Sequence, residues 1–295
     1  MPRLPQVVLT TLFLAASASL IGSPPSAGAQ EVGPSRGALV IVGGAMRDPA
    51  IVNRFMQLAG GPDAPIVVIP TAAGAETYDE SFGGLRPFHE YGVSNLTLLH
   101  TTDRSVADSE EFVRAIREAR GVWFSGGRQW RLADSYLGTR TEEELWNVLD
   151  RGGVIGGSSA GATIQGSYLA RGDTRTNEVM MGDHEEGFAF MKNTAIDQHL
   201  LRRNRHFDLI EIVEAHPELL GIGLDENTAI VVQGDRFQVL GESYVAIYDS
   251  QRMVGEGGRF YFLAPGDRFD LAERQALRLS PQYEPLDRVE PRPWP

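Results

Sequence analysis

The segment Gly157-Ser158-Ser159-Ala160-Gly161 has the residue types and the spacing of a serine nucleophile held on a sharp turn. An apolar run precedes it and helix-forming residues follow, which predicts a strand that turns directly into a helix. In such a turn the flanking glycines let the backbone pass close to its neighbours, and the free N–H groups of the helix face the hydroxyl. We interpret Ser159 as the nucleophile in preference to Ser158, while a phosphate-binding turn would show a similar pattern.

A serine hydroxyl reacts only when a base accepts its proton, and the chain offers 6 histidines for that role. His199 follows a short apolar run and the polar pair Asp197-Gln198, and it precedes a predicted helix, which is typical of a catalytic base. A partly buried histidine with a structural role would fit the same pattern. His184 lies among acidic residues in a polar loop, where a metal site is the alternative, although no second histidine is near. We interpret the histidines at 89, 100, 206 and 216 as surface or packing residues.

A third group, usually a carboxylate, orients the base in such sites. Asp225 and Glu226 lie between two predicted strands, and either of them could orient His199. The same residues, followed by Asn and Thr, would also suit an ordinary hairpin turn. The residues alone leave the choice between the two carboxylates open.

The elements that must position these side chains follow a regular alternation of apolar runs and amphipathic segments. The alternation predicts an α/β fold with a mostly parallel sheet and helices on both faces. From residue 219 onward, closely spaced strands with hairpin-like turns predict an antiparallel C-terminal edge of the same sheet. The predicted strands are 39–42, 66–69, 96–99, 122–124 and 154–155, and the predicted helices are 53–60, 109–119 and 141–152.

The carboxyl ends of the predicted parallel strands lie at one edge, where open α/β sheets bind their ligands. This edge carries Gly43-Gly44, Thr71, Gly126-Gly127 and the turn with Ser159. We therefore expect the glycines to leave room for a substrate backbone beside the hydroxyl.

The N-terminus has the order of features of a secretory signal. Arg3 precedes an apolar stretch over 7–21, and Ala27-Gly28-Ala29 provides a cleavage site. A membrane span needs roughly 20 apolar residues, and this run is shorter and interrupted by Thr and Ser. We predict a signal peptide at 1–29, a linker at 30–36, one α/β domain at 37–250 and a loosely ordered extension at 251–295. The protein would then be secreted or periplasmic.

Composition narrows the classes of function. The formal net charge is −12, which disfavours nucleic acid as a partner because phosphate backbones bind basic surfaces. The chain has no cysteine, so thiol catalysis, cysteine-ligated metals and a disulfide framework are excluded. We expect no cofactor, no metal and no membrane span after removal of the signal.

Four motifs in this order resemble cyanophycinase and its wider family of serine exopeptidases, peptidase family S51, which also includes an aspartyl dipeptidase. They are FSGGRQ, GGSSAGA, IDQHLLRRNRHFDL and GIGLDENTAIVV, and the resemblance extends over residues 37–248. It implies a fold similar to class I glutamine amidotransferases. It also implies a triad of Ser159, His199 and Glu226, with the backbone N–H groups of Gly127 and Ala160 as the oxyanion hole.

The resemblance further implies a set of substrate-binding residues, since the family's site holds a free carboxylate and amine beside the scissile bond. These residues are Gln129, Asp197, Gln198, Arg203 and Arg205. Arginine suits this role because its guanidinium binds a carboxylate through two hydrogen bonds, while surface ion pairs with Asp208 and Glu211 are the alternative. The chain departs from the family at Arg128, where aspartate is common, and at Asp208, where arginine is expected. Both departures put the specificity for a polymer in doubt.

We therefore expect an exported serine hydrolase that acts through an acyl-enzyme, with a cyanophycin-like polymer of β-Asp-Arg units as its substrate. An aspartyl or isoaspartyl dipeptidase is the alternative within the same class. A non-catalytic envelope protein that binds acidic peptides is the alternative from another class. A homodimer is compatible with each of these functions.

Overall fold

Two β-sheets organise the residues that the computed structural model describes, 31–252 and 258–277. The predicted signal peptide at 1–29 lies outside these residues. The strands are β1 (Ala38–Val42), β2 (Ile66–Ile69), β3 (Leu96–Leu98), β4 (Gly121–Phe124), β5 (Val154–Ser158), β6 (Gly166–Tyr168), β7 (Met191–Gln198), β8 (Leu220–Leu224), β9 (Thr228–Gln233), β10 (Arg236–Gly241), β11 (Val245–Tyr248), β12 (Tyr261–Leu263), β13 (Arg268–Asp270) and β14 (Gln275–Leu277). The helices are α1 (Pro49–Ala59), α2 (Arg86–Tyr91), α3 (Arg104–Ala107), α4 (Glu110–Glu118), α5 (Trp130–Tyr136), α6 (Arg140–Asp150), α7 (Ala160–Thr163) and α8 (Leu209–Ala215).

The first sheet has 9 strands in the order β14-β13-β10-β9-β1-β5-β4-β2-β3. Its strands β1, β5, β4, β2 and β3 pair in parallel, which confirms the predicted parallel core. Strand β1 is buried along its whole length because both faces of the sheet are covered. Leu39 and Ile41 pack with α4 and α6 on one face, and Val40 and Val42 pack with α1 on the other. The side chains of a strand alternate between faces, so this strand serves two cores.

Helices α1, α3 and α4 begin at residues whose side chains cap them. The carboxylate of Asp48 accepts a hydrogen bond from the N–H of Ala50 at the start of α1, and Ser109 caps α4 in the same way. Such caps satisfy backbone N–H groups that have no partner within the helix. Helix α1 thus starts four residues before its predicted first residue at 53.

The C-terminal strands differ from the prediction of a single antiparallel edge. Strands β9, β10, β13 and β14 do form that edge on the first sheet. However, β8 and β11 belong to a second sheet of 5 strands in the order β12-β11-β8-β7-β6, in which β6, β7 and β8 are parallel. The residues of β8 and β11 that face the first sheet are apolar and pack in the same core as residues of that sheet. These strands therefore pack against the first sheet and do not pair with its edge.

The predicted linker and the predicted loose extension are both ordered where the structure describes them. The N–H groups of Val32 and Gly33 donate to the carboxylate of Asp235, which ties the linker to the turn before β10. In the extension, β12 pairs with β11, and β13 pairs with β10. Leu263 and Phe269 are fully buried. Within 258–277 the extension is therefore part of both sheets, because its apolar residues there enter the core.

Within residues 31–252 and 258–277 no helix combines the length and the apolar character that a bilayer span requires.

Candidate active site

Ser159 lies on the turn between β5 and α7 in a strained conformation, with φ 58° and ψ −114°. The glycines around it allow this turn. A Cβ atom on Gly157 would lie 2.2 Å from the carbonyl oxygen of Gly161, and a Cβ atom on Gly161 would lie 2.2 Å from that of Phe124. Larger residues at either position would therefore force the turn open. The strand–turn–helix arrangement expected of a nucleophile is present.

His199 and Glu226 complete a chain of hydrogen bonds that begins at Ser159. The Oγ atom of Ser159 lies 2.8 Å from Nε2 of His199, and Nδ1 of His199 lies 2.8 Å from Oε1 of Glu226. A carboxylate accepts only, so Nδ1 must donate to Glu226, and the neutral ring then has Nε2 free to accept the serine proton. The arrangement can deprotonate an alcohol and return the proton to a leaving group.

Glu226, and not Asp225, faces the imidazole. Asp225 instead uses one carboxylate oxygen to accept the N–H groups of Leu201 and Arg202, and the other to accept the hydroxyl of Ser243. It therefore holds the turn that follows His199. The geometry distinguishes the two carboxylates, which the sequence alone left open.

His199 directly follows β7 and has a φ of 56°. Its N–H donates to the carbonyl oxygen of Gly43 at 2.8 Å, at the end of β1. Gly44 lies against the ring, where a Cβ atom would approach Cε1 of His199 to 2.3 Å. Of the glycine pair after β1, expected to make room for a substrate, Gly44 thus makes room for the base, while Gly43 lies against the carbonyl oxygens of Leu224 and Asp225. The turn between His199 and α8 is also longer than predicted, since that helix begins only at Leu209.

Burial is the main influence on the pKa of His199 and lowers it. The hydrogen bond to Glu226 raises the pKa, and the positive charges of Arg203 and Arg205 lower it. The net shift is downward from the ordinary value of 6.5. The ring is therefore neutral, and able to act as a base, over a wider range of pH than a free histidine.

The turn after β4 passes beside Ser159. A Cβ atom on Gly126 would lie 3.3 Å from Cβ of Ser159, and Gly127 has a φ of 142° that favours glycine. The N–H groups of Gly127 and Ala160 have no hydrogen-bond partner in the part of the chain that the structure describes. Two free donors beside the nucleophile are what an oxyanion hole requires.

Comparison with known proteins agrees with this geometry. Residues 39–240 match the profile of peptidase family S51. The chain belongs to that family. A cyanophycinase of Geminocystis herdmanii is 31% identical over 265 residues, which cover 82% of this chain and 96% of that protein. A cyanophycinase of Synechococcus elongatus is 32% identical over 226 residues, covering 72% and 68% respectively.

Among solved structures, the crystal structure of a peptidase from an acI-B1 Actinobacterium superposes with a TM-score of 0.57 at 26% identity. It covers 81% of this chain and 98% of that one. The present chain is accordingly a serine-type hydrolase with an α/β fold. The predictions of its family, its fold class and its enzyme class are confirmed. This membership supports the enzyme class over the alternative of a non-catalytic binding protein.

The five residues predicted to bind substrate in this S51 peptidase differ in exposure. Gln129, Asp197, Gln198 and Arg205 are buried, whereas Arg203 is exposed on the turn after His199. The amide nitrogen of Gln129 donates to the carbonyl oxygens of Ala170 and Arg171, and Oε1 of Gln198 accepts from Arg205. Their contacts with substrate stay a prediction. The four buried residues form a polar layer beside the catalytic chain.

Sequence reasoning missed Arg171, which is fully buried in this layer. Its guanidinium forms two hydrogen bonds with the carboxylate of Asp197, at 2.8 and 3.0 Å, and a third with Asp208. Burial lowers the pKa of Arg171, but the hydrogen bonds with the two carboxylates outweigh it and raise the pKa overall. The signal in the sequence was indirect: Asp208 replaces an arginine expected in the family, and a partner of opposite charge had to come from elsewhere.

His184, the alternative metal ligand, lies away from the catalytic chain. Its Nε2 lies 2.7 Å from Asp134 and its Nδ1 lies 3.3 Å from Asp183. Across residues 31–252 and 258–277, no group of three or more histidine and acidic side chains has an arrangement that could hold a metal.

Proposed function

We propose that this S51 peptidase hydrolyses peptide or isopeptide bonds next to aspartyl residues through an acyl-enzyme on Ser159. The observation that carries the proposal is the unbroken chain of hydrogen bonds from Ser159 through His199 to Glu226. A serine hydroxyl aligned with a neutral, oriented imidazole is a nucleophile for acyl transfer.

In the first half of the reaction, Oγ of Ser159 attacks the carbonyl carbon while Nε2 of His199 takes its proton. The negative charge that develops on the carbonyl oxygen is stabilised by the N–H groups of Gly127 and Ala160. The C–N bond then breaks, and His199 gives the proton to the departing amine. In the second half, water attacks the acyl carbon, His199 accepts a proton from it, and the proton returns to Ser159.

Positive charge beside the catalytic chain supports an acidic residue at the scissile bond. Arg203 and Arg205 both act on His199, and neither forms an ion pair with a carboxylate among the described residues. A substrate carboxylate would offset these charges and could be held by a guanidinium through two hydrogen bonds. The leading substrate is a cyanophycin-like polymer of β-Asp-Arg units, from which the enzyme would release dipeptides as an exopeptidase.

The second candidate is an aspartyl or isoaspartyl dipeptidase. It is favoured by Asp208, which stands where the family resemblance implies an arginine and which binds Arg171 inside the protein. A change of charge at this position bears on the part of the substrate beyond the aspartyl residue. It does not touch the hydrolytic chain.

Export is the remaining part of the proposal, and it depends on the charged, apolar and small-residue segments of 1–29. Expression of the full chain in a bacterial host, with N-terminal sequencing of the protein from the periplasm and medium, tests it. A mature N-terminus at Gln30 is expected, and an uncleaved cytoplasmic product would contradict export.

The main test is incubation of the purified protein, residues 30–295, with β-Asp-Arg polymer and separately with isoaspartyl dipeptides. Mass spectrometry of the products distinguishes release of β-Asp-Arg dipeptides from cleavage of dipeptides into amino acids. The S159A variant is the matched control, because it removes only the nucleophilic oxygen. Hydrolysis that persists in S159A, or no hydrolysis of either substrate, would contradict the proposal.

A further inference from the structure

The turn that follows β1 contacts both the base and the acid of the catalytic chain. The carbonyl oxygen of Gly43 accepts the N–H of His199 at 2.8 Å, and Gly44 lies against the imidazole ring. Farther along the same turn, Nη2 of Arg47 lies 3.9 Å from Oε2 of Glu226. This turn therefore reaches the base through its backbone and the acid through a side chain.

The two oxygens of the Glu226 carboxylate have different surroundings. Oε1 lies 2.8 Å from Nδ1 of His199. In the part of the chain that the structure describes, Oε2 accepts no hydrogen bond, and its ion-pair partner is Arg47. The neighbouring Asp225, by contrast, accepts hydrogen bonds through both oxygens. The catalytic carboxylate thus has fewer hydrogen bonds to fix its direction, and a charge beside its outer oxygen can supply what they do not.

Asn227 holds the backbone of Arg47 beside Glu226. Its side-chain oxygen accepts the N–H of Arg47 at 2.7 Å and that of Asp48 at 2.6 Å, and its own N–H donates to the carbonyl oxygen of Gly44 at 2.8 Å. Asn227 is buried and has a φ of 55°, a left-handed conformation that asparagine tolerates. Because Asn227 directly follows Glu226, these bonds tie the start of the Arg47 side chain to the catalytic carboxylate.

The guanidinium of Arg47 is itself largely in solvent. The exposed fraction of the side chain is 76%, against 20% for that of Glu226. An exposed ion pair adds little to stability, because water and salt screen it. Here, however, the pair includes the residue that orients the base, and small displacements of catalytic groups have large effects on rate. The contact is therefore better placed to affect catalysis than folding.

We propose that Arg47 is a positioning residue of this peptidase: its guanidinium attracts the outer oxygen of Glu226 and so keeps the inner oxygen directed at Nδ1 of His199. Arg47 acts through Glu226 and does not touch the reacting atoms. The inference rests on the proposed function, because it assumes that Ser159 is the nucleophile. Arg47 lies outside the four motifs that carry the family resemblance, so those motifs give no signal for it.

An exposed arginine near an active site has a second possible role, which is to bind a carboxylate of the substrate. The two roles affect different quantities. A positioning residue changes kcat, and it changes the reactivity of Ser159 toward reagents that carry no charge. A substrate contact changes KM and leaves that reactivity as it is.

The first measurement is the rate constant for modification of Ser159 by phenylmethylsulfonyl fluoride, a small neutral reagent, with mass spectrometry to locate the product. In Arg47→Gln we expect this rate constant to fall by about two- to fivefold, the size of an exposed ion pair. R47E places a like charge beside the carboxylate and should lower it by about tenfold. R47K keeps the charge and should restore most of the wild-type value. Equal rate constants in wild type and R47E would overturn the inference and leave the proposed function intact.

Arg86 provides the matched control. It lines the same surface cleft as Arg47, its side chain is 79% exposed, and it forms an ion pair with Glu90 at 3.3 Å. Arg86→Gln therefore makes the same change of charge without touching the catalytic chain, and its rate constant should equal that of the wild type within about 1.5-fold. A loss in R86Q as large as that in R47Q would assign the effect to the net charge of this surface, and the inference would be wrong.

The second measurement is kcat and KM of wild type and R47Q on an isoaspartyl dipeptide, at about 0.02 M and about 1 M sodium chloride. At the higher concentration screening should bring the two kcat values to within about 1.5-fold of each other, because the pair is exposed. A change confined to KM would assign Arg47 to the substrate and overturn the inference. If the wild type shows neither turnover nor modification of Ser159, the proposed function fails, and the inference with it.

The third measurement combines R47Q with Glu226→Gln, with circular dichroism to check that the variants fold. Once the carboxylate is an amide, the charge of Arg47 has no carboxylate to attract. R47Q should then add less than about 1.5-fold to the loss that E226Q causes alone, because the effects of two residues that act through one contact do not multiply. A loss in the double variant equal to the product of the two single losses would show that Arg47 acts elsewhere, and the inference would be overturned.

Discussion

His199 and His184 each lie within hydrogen-bond distance of a carboxylate, at 2.8 Å from Glu226 and 2.7 Å from Asp134. Their pKa values nevertheless shift in opposite directions, since that of His199 is lowered and that of His184 is raised. Burial lowers both. In His184 two carboxylates outweigh it, whereas His199 has one carboxylate and two nearby arginines. A hydrogen bond to an acid orients an imidazole, but the sum of the surrounding charges decides whether it carries a proton.

The comparison distinguishes His199, a catalytic base, from His184, which forms ion pairs near the surface. The pKa of His199 is lowered, which favours the neutral ring that can take a proton from Ser159. The pKa of His184 is raised, and this residue joins α5 to the loop before β7. The following changes test that difference, beginning with the largest effect.

Replacement of Ser159 by alanine should lower kcat by at least about 10⁴-fold, because the serine and the histidine act as one unit. H199A and the S159A/H199A double variant should be inactive to a similar extent. Steady-state kinetics on an isoaspartyl dipeptide measure this. Effects of the two single changes that multiply in the double variant would indicate that the residues do not act together.

Replacement of Glu226 by glutamine should lower kcat by about 10³- to 10⁴-fold, because an amide can stabilise the wrong tautomer of His199. The matched change at the other histidine, Asp134→Asn, should alter kcat by less than about twofold. Circular dichroism of both variants checks that they fold. An equal loss of activity in the two variants would remove the distinction between the histidines.

Replacement of Arg203 by glutamine should move the acid limb of the kcat/KM profile to higher pH. Arg203 lowers the pKa of His199, so its removal raises that pKa and the ring remains protonated to a higher pH. The profile of kcat/KM between pH 4 and pH 9 measures the shift. Arg202→Gln, an exposed neighbour, is the control and should leave the limb in place. A shift to lower pH in R203Q would contradict the electrostatic account.

Replacement of His184 by glutamine should have a small effect on stability, no more than about 1 kcal/mol, because the ion pairs are partly exposed. The folded-state pKa of His184 lies above 6.5, so its contribution is complete at pH values below 6.5 and is lost as pH rises through the folded-state value. Urea unfolding of wild type and H184Q at pH 5.5 and pH 8.5 measures it. A larger difference at pH 8.5 would reverse the assigned sign.

Much of the first sheet could be predicted because most of its parallel strands are short apolar runs, and three of them end at glycine or serine: β1, β4 and β5. The signal is local: Ile66–Ile69 is buried on both faces and reads as apolar at every position. The catalytic chain was found through motifs whose order and spacing are specific. The choice of Glu226 over Asp225 depends on the direction of two side chains after β8, which no property of single residues determines.

The second sheet could not be predicted because strand pairing is a matter of long-range contacts. Strand β8 pairs with β7 and β11, and nothing in its own five residues distinguishes this from a place at the edge of the first sheet. The pair of Arg171 and Asp197 joins residues 26 positions apart through side chains alone. Strands β13 and β14 are only three residues long and neither is a continuous apolar run, so their pattern resembles a loop.

The nucleophile and its base come from different layers of the molecule. Ser159 follows β5 of the first sheet, while His199 and Glu226 follow β7 and β8 of the second, and the layers meet where the N–H groups of His199 and Asn227 donate to Gly43 and Gly44. We expect a small shift of one sheet relative to the other at this contact to separate Oγ of Ser159 from the imidazole of His199 while both sheets remain folded. On gradual heating, activity should therefore be lost at a lower temperature than the temperature at which ellipticity is lost. Activity would then report on the contact between the two sheets.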